Sequence, residues 1–173
     1  MSNINNKNII AKIYKNLPIV LLFISVLNET DFNNLGLKYF SFNFSYILIF
    51  YFSVRKDNSL GYGLVFIAGL FNDVVTGLPI GISSLVYLFL CGAAAYLRNI
   101  TLRPSMMKDW FFFLATVLLV KSMFFLILTF IFAYEINFFD EIGNIVFTFL
   151  LYFVFTYLFD FLEKFLLGSY YVR

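Results

Sequence analysis

Residues 61–81 read GYGLVFIAGLFNDVVTGLPIG and decide the fold, because an apolar run ends there in an acidic residue and a turn. A helix rising about 1.5 Å per residue from Leu60 would carry Asp73 roughly 20 Å along its axis. That depth lies well inside a hydrocarbon layer about 30 Å thick. A carboxylate there costs about 2.5 kcal/mol or more unless it faces protein or water. The stretch therefore predicts a buried helical hairpin.

The predicted hairpin needs internal partners for Asp73, which also lies near a helix C-terminus, where the helix dipole disfavours negative charge. Asp side chains accept bonds from backbone amides a few residues on, and Thr76 and Gly77, three and four residues on, are the expected donors. Gly77 is expected to take positive φ and close the helix, and Pro79 prevents the helix from resuming at once. Gly81, or Ser83 beside it, is expected to cap the next helix. The favoured interpretation is a structural hydrogen-bond hub; a contact or substrate site and a proton relay are the alternatives.

Composition supports a membrane protein. The chain has 173 residues, of which 62% are hydrophobic and 13% charged, whereas soluble domains are about 45–50% apolar and about 25% charged. There are no His and one Cys, which excludes His acid–base chemistry, His-based zinc sites and a disulfide framework. We expect no catalytic residues, no metal and no cofactor, and the net charge of +2 gives no sign of nucleic-acid binding.

Hydropathy predicts a single all-α domain of about six transmembrane helices. Ten of the twelve Lys and Arg, all except Lys38 and Lys121, fall on one side of the membrane if both termini are cytoplasmic. The first segment also resembles a signal-peptide core, but no small-x-small cleavage site follows, which favours an uncleaved span. The predicted spans are 13–27, 37–54, 60–75, 80–97, 110–134 and 142–162.

Small residues mark the faces on which spans three and four are expected to pack. Gly69 and Asp73 are four residues apart and share a helix face, and small residues such as Ser84 and Cys91 recur on the following span. Small residues let membrane helices approach closely. Packing within the chain is the favoured interpretation, and a partner interface is the alternative.

Lys121 is the second deep charge. It is the twelfth residue of predicted span five and lies within about one turn of Asp73 in depth. We predict an intramembrane ion pair between Asp73 and Lys121, in which each charge lowers the cost of burying the other. The alternative is that Lys121 extends its ammonium towards an interface.

The hairpin segment resembles the bacterial rod shape-determining protein MreD family. That family has a Gly-rich third span ending in Asp, a small-residue turn, and a Leu-rich span ending in Arg or Lys. The second span matches more weakly, and the family's Arg-Pro before that span is absent. The positions that match are Gly69, Asp73, Thr76, Gly77, Pro79, Gly81 and Tyr96-Leu97-Arg98.

The resemblance implies a non-enzymatic scaffold of the cell-elongation machinery in the bacterial inner (cytoplasmic) membrane, involved in cell shape and peptidoglycan synthesis. It implies MreC, MreB and the complex of RodA with its transpeptidase as partners, beside the lipid bilayer, and it allows an oligomer. It also implies a fold like the S-component of energy-coupling-factor transporters. The alternative function is the substrate-binding membrane subunit of such a vitamin transporter, to which a pair of spans interrupted by Gly and Pro points.

Overall fold

A computed structural model describes residues 16–27, 42–55, 60–101, 105–133 and 138–167. This part of the chain is all-helical and contains no strand. Both chain termini, and the predicted span residues 13–15, 37–41 and 134, lie outside it. The six helices are α1 (Asn16–Leu27), α2 (Phe44–Arg55), α3 (Tyr62–Thr76), α4 (Ile82–Ile100), α5 (Met106–Phe132) and α6 (Phe138–Leu167).

Three of these helices, α4, α5 and α6, are long and apolar enough to cross a membrane. The others are shorter apolar helices. At about 1.5 Å per residue, the 12 residues of α2 extend about 18 Å, less than the roughly 30 Å of a hydrocarbon core. The helix begins at Phe44, and the backbone carbonyl of Asn43 just before it accepts the N–H groups of Tyr46 and Ile47.

The centre of the fold is α2. Every residue from Ser45 to Val54 is buried, and a helix that is apolar all round is one enclosed by other helices. It packs against α4 and α6, and Ser45 also lies 3.0 Å from Ser25 of α1, hydroxyl to hydroxyl. The short helix therefore forms the core around which the longer helices are arranged.

Aromatic side chains join α5 to α6. The rings of Phe113 and Tyr152 stack with centroids 4.2 Å apart, and those of Trp110 and Phe149 stack at 4.3 Å. The indole N–H of Trp110 also donates to the backbone carbonyl of Phe149 at 2.9 Å. Much of the Phe and Tyr content of the chain thus fills space between helices, where each ring buries a large apolar area.

A polar cluster closes the end of the bundle at which α2 and α6 finish. The Tyr51 hydroxyl donates to the Asp160 carboxylate at 2.7 Å, and Arg55 forms a salt bridge with the same carboxylate at 3.3 Å. From α4, the Arg98 guanidinium donates to the carbonyl of Ser53. These contacts fix the ends of three helices together, opposite the end that carries the α3–α4 turn.

Candidate functional site

The α3–α4 turn begins at the C-terminus of α3, which is closed by hydrogen bonds to the backbone carbonyl of Asp73. Gly77 has φ 71°, in the left-handed region, as the sequence predicted. The N–H of Gly77 and the N–H of Leu78 both donate to the backbone carbonyl of Asp73. Glycine permits this helix ending because it lacks the Cβ that makes positive φ costly.

The Asp73 side chain then caps α4. It is fully buried, and its two carboxylate oxygens accept the backbone N–H of Gly81 at 2.6 Å and that of Ser83 at 2.9 Å. The predicted donors, Thr76 and Gly77, are wrong: Gly77 donates to the Asp73 carbonyl, and the Thr76 hydroxyl donates to the Asn72 carbonyl. Asp73 is thus a hydrogen-bond hub that reaches across the turn.

This arrangement changes the electrostatic setting of Asp73. The residue lies at the C-terminal end of α3, but its carboxylate lies at the N-terminus of α4, where the helix dipole favours negative charge. Gly81 is the residue before α4 and has φ 103°, and as a glycine it has no side chain with which to cap the helix. Pro79 lies inside the turn and its carbonyl accepts the N–H of Ile82 at 3.4 Å. The cap of α4 therefore comes from the preceding helix.

Gly69 allows α3 and α4 to touch through their backbones. A Cβ built on Gly69 would lie 2.5 Å from the backbone nitrogen of Ser84 and against the Cα of the same residue. The Ser84 hydroxyl donates to the carbonyl of Phe66 at 2.9 Å, which ties the two helices together at this point. Close approach through small residues is how membrane helices gain van der Waals contact.

Lys121 is paired with Glu141 instead of Asp73. Its ammonium lies 2.7 Å from the Glu141 carboxylate, and the Lys121 side chain is only 7% exposed. The same ammonium lies over the rings of Tyr46 and Phe124, 5.6 and 5.5 Å from their centroids. The predicted Asp73–Lys121 pair is wrong, because both Asp73 oxygens are engaged by backbone amides and Lys121 finds its carboxylate on α6.

A cavity of about 240 Å³ opens beside this pair, at the end of the bundle that carries the turn. Helices α1 to α6 all contribute to its lining. Phe42, Phe44, Tyr46 and Phe124 supply aromatic walls. Its polar lining residues are Ser25, Asn43, Asn72, Thr76, Ser83, Lys121, Glu141 and Asn144.

Two residues of α6, Glu141 and Asn144, line this cavity and were not predicted from the sequence. Glu141 and Asn144 are three residues apart, and Thr148 is four further on, so they share one helix face. In the structure, Asn43 of the segment before α2 donates to Asn144 at 2.9 Å. A polar face at the start of an otherwise apolar span is the signal from which these residues could have been predicted.

Asn72 differs from its neighbours in the cavity wall. It is 6% exposed, and its Nδ2 donates to the Ser83 hydroxyl at 3.0 Å. Its Oδ1 is buried without a hydrogen-bond partner within the described residues. Buried polar atoms are nearly always satisfied in native proteins, which makes this oxygen the exception at the site.

The described ranges contain no group of three or more His, Cys, Asp or Glu that could hold a metal ion. The chain matches no known protein-family profile, no curated protein and no solved structure. What the site does is therefore inferred from its own residues.

Proposed function

We propose that the protein is a non-enzymatic scaffold of the bacterial cell-elongation machinery in the inner membrane, with the role of MreD. The observation that carries the proposal is the hairpin around Asp73. The positions that resemble the MreD motif, Gly69, Asp73, Gly77, Pro79 and Gly81, all lie in one unit. Within that unit the acidic residue caps the next helix, and Gly69 sets the distance between the two helices.

A scaffold needs a rigid element that presents side chains to partners. The hairpin is fixed internally by hydrogen bonds of Asp73 and Ser84. Its outer surface exposes large apolar side chains, with Phe71, Val74 and Ile80 at 52%, 69% and 76% exposure. Such side chains suit contact with lipid or with an apolar helix of another protein. In the proposed assembly, this face contacts MreC or the RodA–transpeptidase complex. MreB binds the assembly from the cytoplasmic side.

The proposal is tested in a rod-forming host in which this chain is the only copy of its kind. Depletion should turn the rods round, and affinity purification of the tagged full chain should recover MreC and RodA. Gly69→Ala, which disturbs the α3–α4 contact, should reduce both shape rescue and recovery. Gly63→Ala, on the same helix with nothing within 4 Å of the added methyl, should restore rods. Unchanged cell shape after depletion, or purification without either partner, would contradict the scaffold role.

A second candidate is the substrate-binding subunit of an energy-coupling-factor transporter, and the polar cavity is the observation that favours it. Eight polar residues converge on a space of about 240 Å³, which is the kind of convergence that a small-molecule site requires. A transporter subunit should co-purify with a coupling protein and its ATPases. Their recovery in place of MreC and RodA would select this function over the scaffold.

A further inference from the structure

An open groove runs between α4 and α5, at the end of the bundle opposite the α3–α4 turn. Its volume is about 940 Å³, near the upper limit of the roughly 300–1,000 Å³ of ligand pockets. Leu97 and Ile100 of α4 line one side, and Phe111 and Ala115 of α5 line the other. Ile100 and Phe111 are each more than half exposed. The groove is therefore an apolar surface that the described residues leave uncovered.

The groove leads from a basic residue towards the apolar part of α5. Lys108 belongs to the start of α5, lines the groove and is exposed. Ala115 lies seven residues further on, which is about 10 Å along the helix axis. A lysine beside an apolar wall lays its stem on that wall and keeps its ammonium in the polar interface. The groove thus follows the direction that a lipid takes, with its head group at the interface and its acyl chain further in.

A smaller cavity adjoins the groove at its polar end. Its volume is about 250 Å³, and Leu97 and Thr101 line both spaces. Arg55 and Arg98 belong to the lining of this cavity. Arg55 is the last residue of α2, and Arg98 lies in the last turn of α4. The two guanidinium groups are therefore at helix ends, at the level at which lipid head groups lie.

Positive charge exceeds negative charge around the two spaces. Arg55 and Arg98 line the cavity, and Lys108 lines the groove. Asp109 is the acidic residue of the described lining. Asp160 of α6 adds a second carboxylate through its salt bridge with Arg55 at 3.3 Å. Even with Asp160 counted, three basic side chains meet two carboxylates, which favours an anionic occupant.

We propose that the groove and the adjoining cavity form a binding site for one anionic phospholipid. Its phosphate lies among Lys108, Arg98 and Arg55, and its acyl chain lies on the apolar wall between α4 and α5. The distribution of Lys and Arg predicts that this end of the bundle is cytoplasmic. The cytoplasmic leaflet contains anionic lipids, and basic pockets between helices on that side bind anionic head groups. The inference goes beyond the scaffold role and does not depend on it, because the groove and the hairpin lie at opposite ends of the bundle.

The test measures lipid binding to the purified, delipidated full chain by native mass spectrometry, which counts lipids and chains in each particle. The probes are dioleoylphosphatidylglycerol, dioleoylphosphatidylcholine and glycerol 3-phosphate, which separate the charge of the head group from the acyl chains. One molecule of the anionic lipid should bind per chain, with a Kd at least about tenfold lower than that of the zwitterionic lipid, because each basic side chain near an anionic lipid contributes about fivefold. Glycerol 3-phosphate should not bind in the same range, because it has no apolar surface to bury in the groove.

Two pairs of variants test the two halves of the site. Lys108→Gln should raise the Kd of the anionic lipid about fivefold. Its control is Lys164→Gln, because Lys164 is an exposed lysine in the last turn of α6, at the same end of the bundle but outside the groove. Ala115→Phe should raise the Kd at least about tenfold, because the added ring fills the groove and excludes the acyl chain. Leu119→Phe, at an exposed position of α5 outside the groove, should leave the Kd unchanged.

The proposal is overturned if the two lipids bind alike, which means that lipid covers the helices without selection. It is also overturned if glycerol 3-phosphate binds as tightly as the anionic lipid, which means that the site takes free phosphate, or if Lys108→Gln raises the Kd no more than Lys164→Gln does. A dimer that Ala115→Phe abolishes and Leu119→Phe retains, with lipid binding unchanged in both, would assign the groove to a second copy of the chain and overturn the proposal. If Ala115→Phe does not fold, the three probes and the two lysine variants decide.

Discussion

Replacing Asp73 by Asn tests whether the buried carboxylate holds the α3–α4 turn together. The original side chain accepts two backbone N–H groups, from Gly81 at 2.6 Å and from Ser83 at 2.9 Å. Asn has nearly the same shape but only one acceptor oxygen. Its NH2 group would therefore face one of the two backbone donors, and that N–H would be left buried without an acceptor.

The expected size of the effect follows from four contributions, three unfavourable and one favourable. Losing one hydrogen bond to a charged acceptor costs about 1.5–3 kcal/mol. Losing the negative charge at the N-terminus of α4 costs about 0.3–1 kcal/mol, and up to about 2 in partly buried sites. The orphaned N–H adds about 1–3 kcal/mol, while removing a charge from membrane depth returns about 2.5–3.5 kcal/mol. The net destabilisation of Asp73→Asn is about 2 kcal/mol, which lowers the Tm of a chain of this size by about 4–8 °C.

The assay is thermal unfolding of the purified protein in detergent, with Asp109→Asn as the matched control. Asp109 is also buried, at 3% exposure, but its carboxylate interacts electrostatically with Arg55 and not with the backbone N–H groups of a turn. The control should therefore shift the Tm by less than Asp73→Asn does. If Asp73→Asn unfolds at the same temperature as the original protein, or shifts no more than the control, the capping role of the carboxylate is refuted.

Two further predictions concern the contacts around this turn. Gly69→Ala should destabilise the fold by about 1–3 kcal/mol, because the added methyl meets the backbone of α4. The control Gly63→Ala should stabilise the fold by up to about 1 kcal/mol, because Ala has the higher helix propensity. Equal Tm values for the two variants would contradict the close approach of α3 and α4. Lys121→Met should destabilise the fold by about 1–3 kcal/mol. This is less than breaking a fully buried ion pair costs, because the Glu141 side chain is 27% exposed. Adding Glu141→Gln should then cost less than the sum of the single changes by at least about 0.5 kcal/mol, and strict additivity of the unfolding free energies would show that the pair is not coupled.

The sequence predicted the existence of the hairpin better than its hydrogen bonds. The run from Gly69 to Gly81 indicated a helix ending, a turn and a new helix, because Gly and Pro restrict the backbone locally. The donors to Asp73 were assigned by the same local rules, which consider amides a few residues on. The structure uses amides eight and ten residues on, at Gly81 and Ser83. Contacts at that separation depend on how α4 returns against α3, which no local rule contains.

Glu141 was not predicted as the partner of Lys121, because the sixth helix was predicted to begin later than it does. Depth along a span follows from the rise per residue, but the rotation of each helix about its axis does not. The sixth span was predicted from residue 142, which left Glu141 in a loop. Helix α6 begins at Phe138 instead, so Glu141 lies in its first turns and points its carboxylate at Lys121. An acidic residue just before an apolar run is as compatible with the first turns of a helix as with a loop.

Asn72 and Asp73 are adjacent in sequence yet lie against different parts of the structure. Consecutive residues of an α-helix point about 100° apart, so one side chain meets the N-terminus of α4 while the other meets the cavity. Each oxygen of the Asp73 carboxylate accepts one backbone N–H, and the side chain is fully buried. Asn72 shares Ser83 with it, through the side-chain hydroxyl instead of the backbone N–H, and keeps an unmatched oxygen. The acidic residue therefore holds the two helices together, and its neutral neighbour contributes to the wall of the cavity.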